Sequence, residues 1–189
     1  ELVGERDIDE LDVPPDAFVS IAPTAQLLRE DALAQWLLPR RRNTHKGESG
    51  RVLCIGGDHG HGGAIVLCAE AALRCGAGLL TAATRAAHVP VLLSRRPEAM
   101  AVAVESGEDL APLLAHADAI ALGPGLGQGD WGRAVLHLAL DAGQPLVLDA
   151  DALNLLAQSP RELPGAILTP HPGAAPRLLG IATGEVHGE

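Results

Sequence analysis

Aromatic side chains are nearly missing from this sequence, which has no Tyr, one Phe and two Trp among 189 residues. A core without rings must be built from Ala, Val, Leu and Ile, which suits helices packed tightly on a buried sheet. Long apolar runs are missing too: none approaches the roughly 20 residues that a membrane-spanning helix needs. Basic residues are outnumbered, 14 Lys and Arg against 24 Asp and Glu, for a formal charge of −10. That balance argues against a nucleic-acid surface, which requires clustered cations facing phosphates. The basic cluster Arg40-Arg41-Arg42 with Lys46 reads as a solvated linker. The opening ELVGERDIDE is acidic and unlike a secretory signal. Cys54, Cys68 and Cys75 are odd in number, sit in apolar surroundings and form no C-x-x-C. Buried thiols in a reducing cytosol, and so a cytoplasmic protein, are the expectation.

What is present is an ordinary globular composition, 47% hydrophobic and 20% charged, with 22 Gly and 14 Pro. Residues 1–50 are rich in Pro and charge (DVPPD, LLPRRRNTHKGESG) and read as a connector, with one plausible helix over 23–38 and Thr24 as its possible cap. From Arg51 onward six short apolar runs recur: RVLCIGG, LLTAAT, AMAVAV, ADAIALGP, PLVLDA and GAILTP. Helical candidates lie between and after them, among them AIVLCAEAALRCGAG, AAHVPVLLS with an awkward Pro90, GEDLAPLLAH, DWGRAVLHLALDAG, DALNLLAQ and AAPRLLG. Buried strands alternating with helices predict an α/β fold, a mostly parallel sheet with helices on both faces. In such sheets ligands bind beyond the strand C-termini, so the residues just after each run carry the functional information.

Four loops qualify. Gly56-Gly57-Asp58-His59-Gly60-His61-Gly62-Gly63-Ala64 joins a strand to a helix and lets backbone N–H groups approach a ligand, although it matches neither a P-loop nor G-x-G-x-x-G. Its alternative reading is a tight turn, and His59 and His61 read as solvated loop histidines because a third metal ligand is not apparent. Gly123-Pro124-Gly125-Leu126-Gly127-Gln128-Gly129 repeats the logic at a second strand end. In LVLDADALN, Asp149 and Asp151 could order Mg²⁺ beside phosphates, or Asp151 could cap the following helix, with Asn154 beginning the next turn. In Thr169-Pro170-His171-Pro172-Gly173 two prolines hold one histidine rigidly at a strand end, which favours a ligand contact for His171. His88, His116, His137 and His187 carry no local argument and are taken as ordinary.

Together, HKGESGRVLCIGG, GGAIVLCAEAALRCGAGLLT, ALGPGLGQ, PLVLDADALN and LTPHPG resemble the ADP-dependent NAD(P)H-hydrate dehydratase domain of the ribokinase-like superfamily, over residues 39–180. In bacteria that domain often follows an NAD(P)H-hydrate epimerase domain in a bifunctional repair enzyme. The resemblance implies a lyase that phosphorylates the hydrated nicotinamide ring with ADP and Mg²⁺ and eliminates phosphate, returning NADHX or NADPHX to NADH or NADPH. It implies Ala64, Gly125 and His171 as hydrate contacts, with Gly57, Gly123, Asp149, Asp151 and Asn154 lining the site. It further implies a homo-oligomer, commonly a tetramer. Residues 1–45 then read as the tail of the epimerase and connector, and residues 46–189 as the N-terminal two thirds of the dehydratase domain, truncated at its C-terminus.

Two departures from the family stand out. HPGE is usual after the threonine–proline, whereas Gly173 is followed here by Ala174. The family's Lys-Gly-rich segment and its glycine-rich loop with the catalytic aspartate have no counterpart after Gly180. The catalytic base is therefore expected beyond residue 189, and the chain as given is expected to be inactive. Two alternatives are a ribokinase-like kinase of vitamin precursors and a non-catalytic binding module; a D-x-D glycosyl transferase is poorly supported.

Overall fold

The computed structural model describes residues 13–19 and 29–181. The chain divides into two compact units, Glu1–Arg42 and Asn43–Glu189. In the first, a tight turn covers Pro15–Phe18 and a single helical turn, α1, covers Glu30–Leu33. The expected helix over 23–38 is thus one turn among the described residues, and Thr24 lies outside them.

The second unit is built on six strands, β1 (Arg51–Ile55), β2 (Leu79–Thr84), β3 (Met100–Ala103), β4 (Ala119–Leu122), β5 (Leu146–Leu148) and β6 (Ile167–Leu168). Each falls in one of the six apolar runs, and every pairing is parallel, in the order β3-β2-β1-β4-β5-β6. Between and after the strands lie α2 (Gly62–Arg74), α3 (Val89–Arg95), α4 (Gly107–Leu114), α5 (Asp130–Asp141), α6 (Ala150–Gln158) and α7 (Ala175–Leu179). Pro90 is accommodated because it falls in the first turn of α3, where its missing N–H has no helical acceptor to lose.

Strand alternation sorts the core into two layers. Leu53, Ile55, Ile120, Leu122, Leu146 and Leu148 pack against Leu110 of α4, Val135 of α5 and Leu153 of α6. Cys54, Leu80 and Ala82 face the other way, against Ile65 and Ala69 of α2 and Leu92 of α3. On this second face α2 covers β1 and β2, and α3 covers β3. Val147 and Ile167, paired across β5 and β6, remain 36% and 60% exposed there.

The chain runs outward from β1 to β2 and β3, then returns to start β4 beside β1 and runs outward the other way. The order reverses between β1 and β4. Loops leaving two neighbouring strands in opposite directions part at that point and open a crevice, the usual ligand position in doubly wound sheets.

Candidate functional site

The loop after β1 and the loop after β4 meet across this crevice through backbone hydrogen bonds. Gly57 N–H donates to Pro124 O at 3.0 Å, Asp58 N–H donates to Gly125 O at 2.6 Å, and Gly123 N–H donates to Ile55 O at 3.1 Å. Glycine is required on the second loop. Gly123 has φ +128°, and a Cβ there would collide with Asp149 O. Gly125 has φ +60°, and its Cβ would sit 2.8 Å from His61 Cβ and 3.0 Å from Ala64 Cβ. Ala64 and Gly125, both expected as ligand contacts, are therefore neighbours across the mouth of one groove.

That groove has a volume of about 770 Å³. Ala64, Leu67, Cys68 and Ala71 of α2 form one wall, Val52, Ala121 and Val147 the floor, and Pro124, Gly125, Asp149 and Thr169 the rim at the strand ends. Its lining is apolar apart from the rim, so a ligand would be anchored by backbone groups and Asp149 at one end only.

The first loop is held from its far side by charge. Arg85, just after β2, places Nε 2.8 Å from Asp58 Oδ1 and Nη1 2.6 Å from Glu105 Oε2. Its guanidinium carbon lies 4.4 Å from the centroid of the Trp131 ring, a cation–π contact. The Trp131 indole N–H donates to Val104 O at 3.0 Å. Glu105 accepts the Ala86 N–H at 2.9 Å and is itself fixed by Asp109, which accepts the N–H groups of Glu105 and Ser106 at the start of α4. Burial pulls the Asp58 carboxyl upward, but hydrogen bonds from Arg85 and the His59 N–H outweigh it and hold the group below its ordinary value. Glu105 is likewise lowered, chiefly by the Ala86 N–H; burial opposes this, and the charge and hydrogen bond of Arg85 add to the lowering. His88 also reaches this loop: its Nε2 lies 3.2 Å from Asp58 O, and its ring packs over Gly62.

The aspartates after β5 divide their work. Asp149, rather than Asp151, occupies the N-cap position of α6, and its side chain makes no capping bond. The capping role expected for Asp151 is therefore corrected: it lies in the first helical turn, and its Oδ2 accepts the Gly127 N–H at 3.0 Å. The offset goes with Ala150, the first residue of α6, whose φ of +47° turns the chain between the two aspartates. Asn154 lies within α6 instead of opening a turn, with Nδ2 3.4 Å from Asp151 Oδ1 and its own Oδ1 buried without a partner. His171 is exposed at the end of the β6 loop, with Nδ1 accepting the Gly173 N–H at 3.3 Å. Ala64, Gly125 and Asp149 thus share the groove, Gly57 and Gly123 hold its backbone, and Asp151 and Asn154 brace the second loop.

Sequence reasoning missed Arg85, Asp58, Glu105 and Trp131 as a cluster. The signal was available, since Arg85 directly follows the run LLTAAT and obeys the same rule that selected the four loops. The cysteines also need correction. Only Cys54 is buried, Cys68 lines the groove and Cys75 is exposed. The sulfur contact with Cys68, then burial, pushes the Cys54 thiol up and leaves it inert. Among the described residues no group of three or more His, Cys, Asp or Glu converges as a metal site.

A family model described as NAD(P)H-hydrate dehydratase matches residues 52–188. The chain is 48% identical over 183 residues to a bifunctional NAD(P)H-hydrate repair enzyme of Coxiella burnetii, covering 97% of this chain and 38% of that protein. A ribokinase-like superfamily protein of Enterococcus faecalis superposes with a TM-score of 0.76 at 32% identity, over 83% of this chain and 57% of that one. An ADP/ATP-dependent NAD(P)H-hydrate dehydratase of Bacillus subtilis, co-crystallised with ATP/Mg²⁺, gives a TM-score of 0.72 at 29% identity over 89% and 61%. The chain spans less than two thirds of each of these proteins. A groove at the β1/β4 reversal of a ribokinase-like sheet, rimmed by GPGLG and DADALN in a region the family model matches throughout, has one reading: this chain belongs to the NAD(P)H-hydrate dehydratase family.

Proposed function

We propose that this chain supplies the hydrate-binding half of an ADP-dependent NAD(P)H-hydrate dehydratase, a nicotinamide-nucleotide repair enzyme. The observation that carries this reading is the meeting of Ala64 and Gly125 at one groove mouth, 3.0 Å from a Cβ placed on Gly125, with Asp149 and Thr169 on the same rim. Only small residues at those two positions leave room for a ring to approach backbone N–H groups, and their spacing is enforced by the bonds between the loops. His171 is exposed after β6 and does not line the groove; with its Nδ1 accepting the Gly173 N–H, its Nε2 would donate to an oxygen of the hydrate.

When bound, ADP with Mg²⁺ supplies the phosphoryl group that turns the hydrate's hydroxyl, a poor leaving group, into phosphate, a good one. The donor set here fits an ion that arrives on nucleotide phosphates rather than a resident one. Asp149 is a carboxylate at the rim without a capping duty, whereas Asp151 is committed to Gly127, and Mg²⁺ in phosphoryl-transfer sites needs only one or two carboxylates. Asp149 would hold it; Asp151 and Asn154 keep the second loop in place. This chain contributes the hydrate contacts to that reaction through Ala64, Gly125 and the rim residues. The match to the bifunctional relative covers 97% of the chain and so includes most of residues 1–45, which supports reading them as the tail and connector of an epimerase domain. The complete enzyme acts in the cytoplasm as a homo-oligomer, a tetramer by the habit of the family.

Incubating the chain with (S)-NADHX should show calorimetric binding, and with ADP and Mg²⁺ added the absorbance at about 340 nm, the NADH band, follows any turnover. A version extended through the aspartate loop should restore that absorbance. An extended protein that leaves NADHX untouched at every ADP concentration defeats the reading.

A further inference from the structure

We propose that Arg85 is the positioning residue of the groove: its guanidinium sets the first glycine loop against the second, and so fixes the gap between Ala64 and Gly125 that a ligand must enter. The inference rests on the dehydratase reading only for the identity of that ligand. Three contacts converge on this side chain. It pairs with Asp58 at 2.8 Å and Glu105 at 2.6 Å, stacks on Trp131 at 4.4 Å, and is only 13% exposed. Each contact belongs to a different segment: Asp58 to the loop after β1, Glu105 to the loop after β3, and Trp131 to the first turn of α5, directly after the second glycine loop. One rigid, planar group thus ties three loop ends together, a task suited to Arg because its fork holds two carboxylates while its face stacks on a ring.

The tie reaches the groove through the backbone of Asp58. With the carboxylate held by Arg85, the Asp58 N–H points at Gly125 O at 2.6 Å, and Asp58 O accepts the His61 N–H at 2.8 Å. Those two bonds bring His61 against Gly125 and start α2 so that Ala64 faces the groove. Glycine-rich loops have little stiffness of their own, so a side-chain anchor behind them decides whether their N–H groups are preorganised for a ligand. Arg85 does not line the groove; it acts through Asp58.

The test uses the 189-residue chain and its Arg85→Gln and Arg85→Lys variants, with two readouts. Amide hydrogen exchange follows the Gly57 and Asp58 N–H groups, which bridge the loops, against strand amides such as Cys54. Calorimetry follows (S)-NADPHX binding. Arg85→Gln should speed exchange at Gly57 and Asp58 at least tenfold (about 1.4 kcal/mol), leave strand amides slow, and raise Kd for (S)-NADPHX about tenfold or more. Arg85→Lys should recover part of both effects, keeping one carboxylate contact and losing the stack; it carries the comparison should the glutamine variant not fold. Unchanged exchange at Gly57 and Asp58 overturns the proposal. So does equal acceleration in the strands, which marks a merely structural residue. If the unsubstituted chain binds no (S)-NADPHX, the dehydratase reading fails, and the exchange comparison alone decides the role of Arg85.

Discussion

The two loops that form the groove mouth are held by opposite means. The loop after β1 depends on what is present, a charged side-chain cluster behind it. The loop after β4 depends on what is missing, Cβ atoms at Gly123 and Gly125. A loop built on absent side chains is intolerant of additions whatever the pH or salt. A loop built on ion pairs tolerates conservative changes and weakens where its carboxylates protonate. The groove therefore has one rigid wall and one adjustable wall.

The harshest test of the rigid wall is Gly123→Ala. The added Cβ meets Asp149 O and Ala152 Cβ, and the left-handed φ of +128° disfavours any L side chain. Strain and overpacking together should cost roughly 3–5 kcal/mol, read as a fall in Tm of about 10 °C or more. A loss below about 1 kcal/mol would show that the second loop can yield. Gly125→Ala should act on both folding and binding: an alanine at left-handed φ costs about 1–2 kcal/mol of stability, and its Cβ reaches His61 and Ala64 at the groove mouth, so a Kd for (S)-NADPHX raised about tenfold in calorimetry is expected.

The adjustable wall predicts a pH dependence with a definite sign. Asp58 and Glu105 have folded-state pKa values below their unfolded ones, so their stabilisation is complete above the unfolded values of about 4. It is lost as pH falls through the lower folded values, while Arg85 stays charged. Urea unfolding should therefore show a steeper fall in stability from pH 5 to pH 3 for the unsubstituted chain than for Asp58→Asn. At pH 7 the variant should be less stable by about 1–2 kcal/mol, the range for a partly exposed charge-assisted hydrogen bond. Parallel acid limbs would remove the distinction between the two walls.

This contrast also explains what the sequence could and could not disclose. Strand positions were readable because short apolar runs, four of the six closed by Gly, Pro or Asp, leave little choice in a chain this poor in aromatics. The second loop was readable for the same reason: GPGLGQG shows its missing Cβ atoms directly. The Arg85 cluster was not, since Asp58, Arg85, Glu105 and Trp131 are spread over 74 positions (131 − 58 + 1) and meet only when β2 lies beside β1. The open face over β5 and β6 was equally hidden. An apolar strand reads the same whether one face or both are covered, and only the exposure of Val147 and Ile167 reveals the difference. The cap of α6 was misplaced by two residues, from Asp149 to Asp151, because a left-handed alanine has no sequence signature.

That alanine gives the smallest and most pointed test. Ala150 sits between Asp149 and Asp151 with φ +47°, the only non-glycine residue at positive φ among those described. An L side chain there costs about 1–2 kcal/mol, and the surrounding bonds must outweigh it: Asp149 N–H to Leu122 O at 3.0 Å, Ala152 N–H to Asp149 O at 3.1 Å, and Gly127 N–H to Asp151 Oδ2 at 3.0 Å. The turn aims Asp149 at the groove rim and Asp151 at the second loop, so the strain accompanies the division of labour between two carboxylates. Ala150→Gly relieves the strain but adds freedom to the unfolded chain, which offsets about 0.4–1 kcal/mol of the gain. The net expectation is a stabilisation of about 0.5–1 kcal/mol, a rise in Tm of about 2–3 °C by calorimetry, with (S)-NADPHX binding unchanged or slightly weaker as the rim loosens. A lower Tm would mean that Ala150 is not strained, and that Asp149 is aimed by the β4–β5 pairing alone.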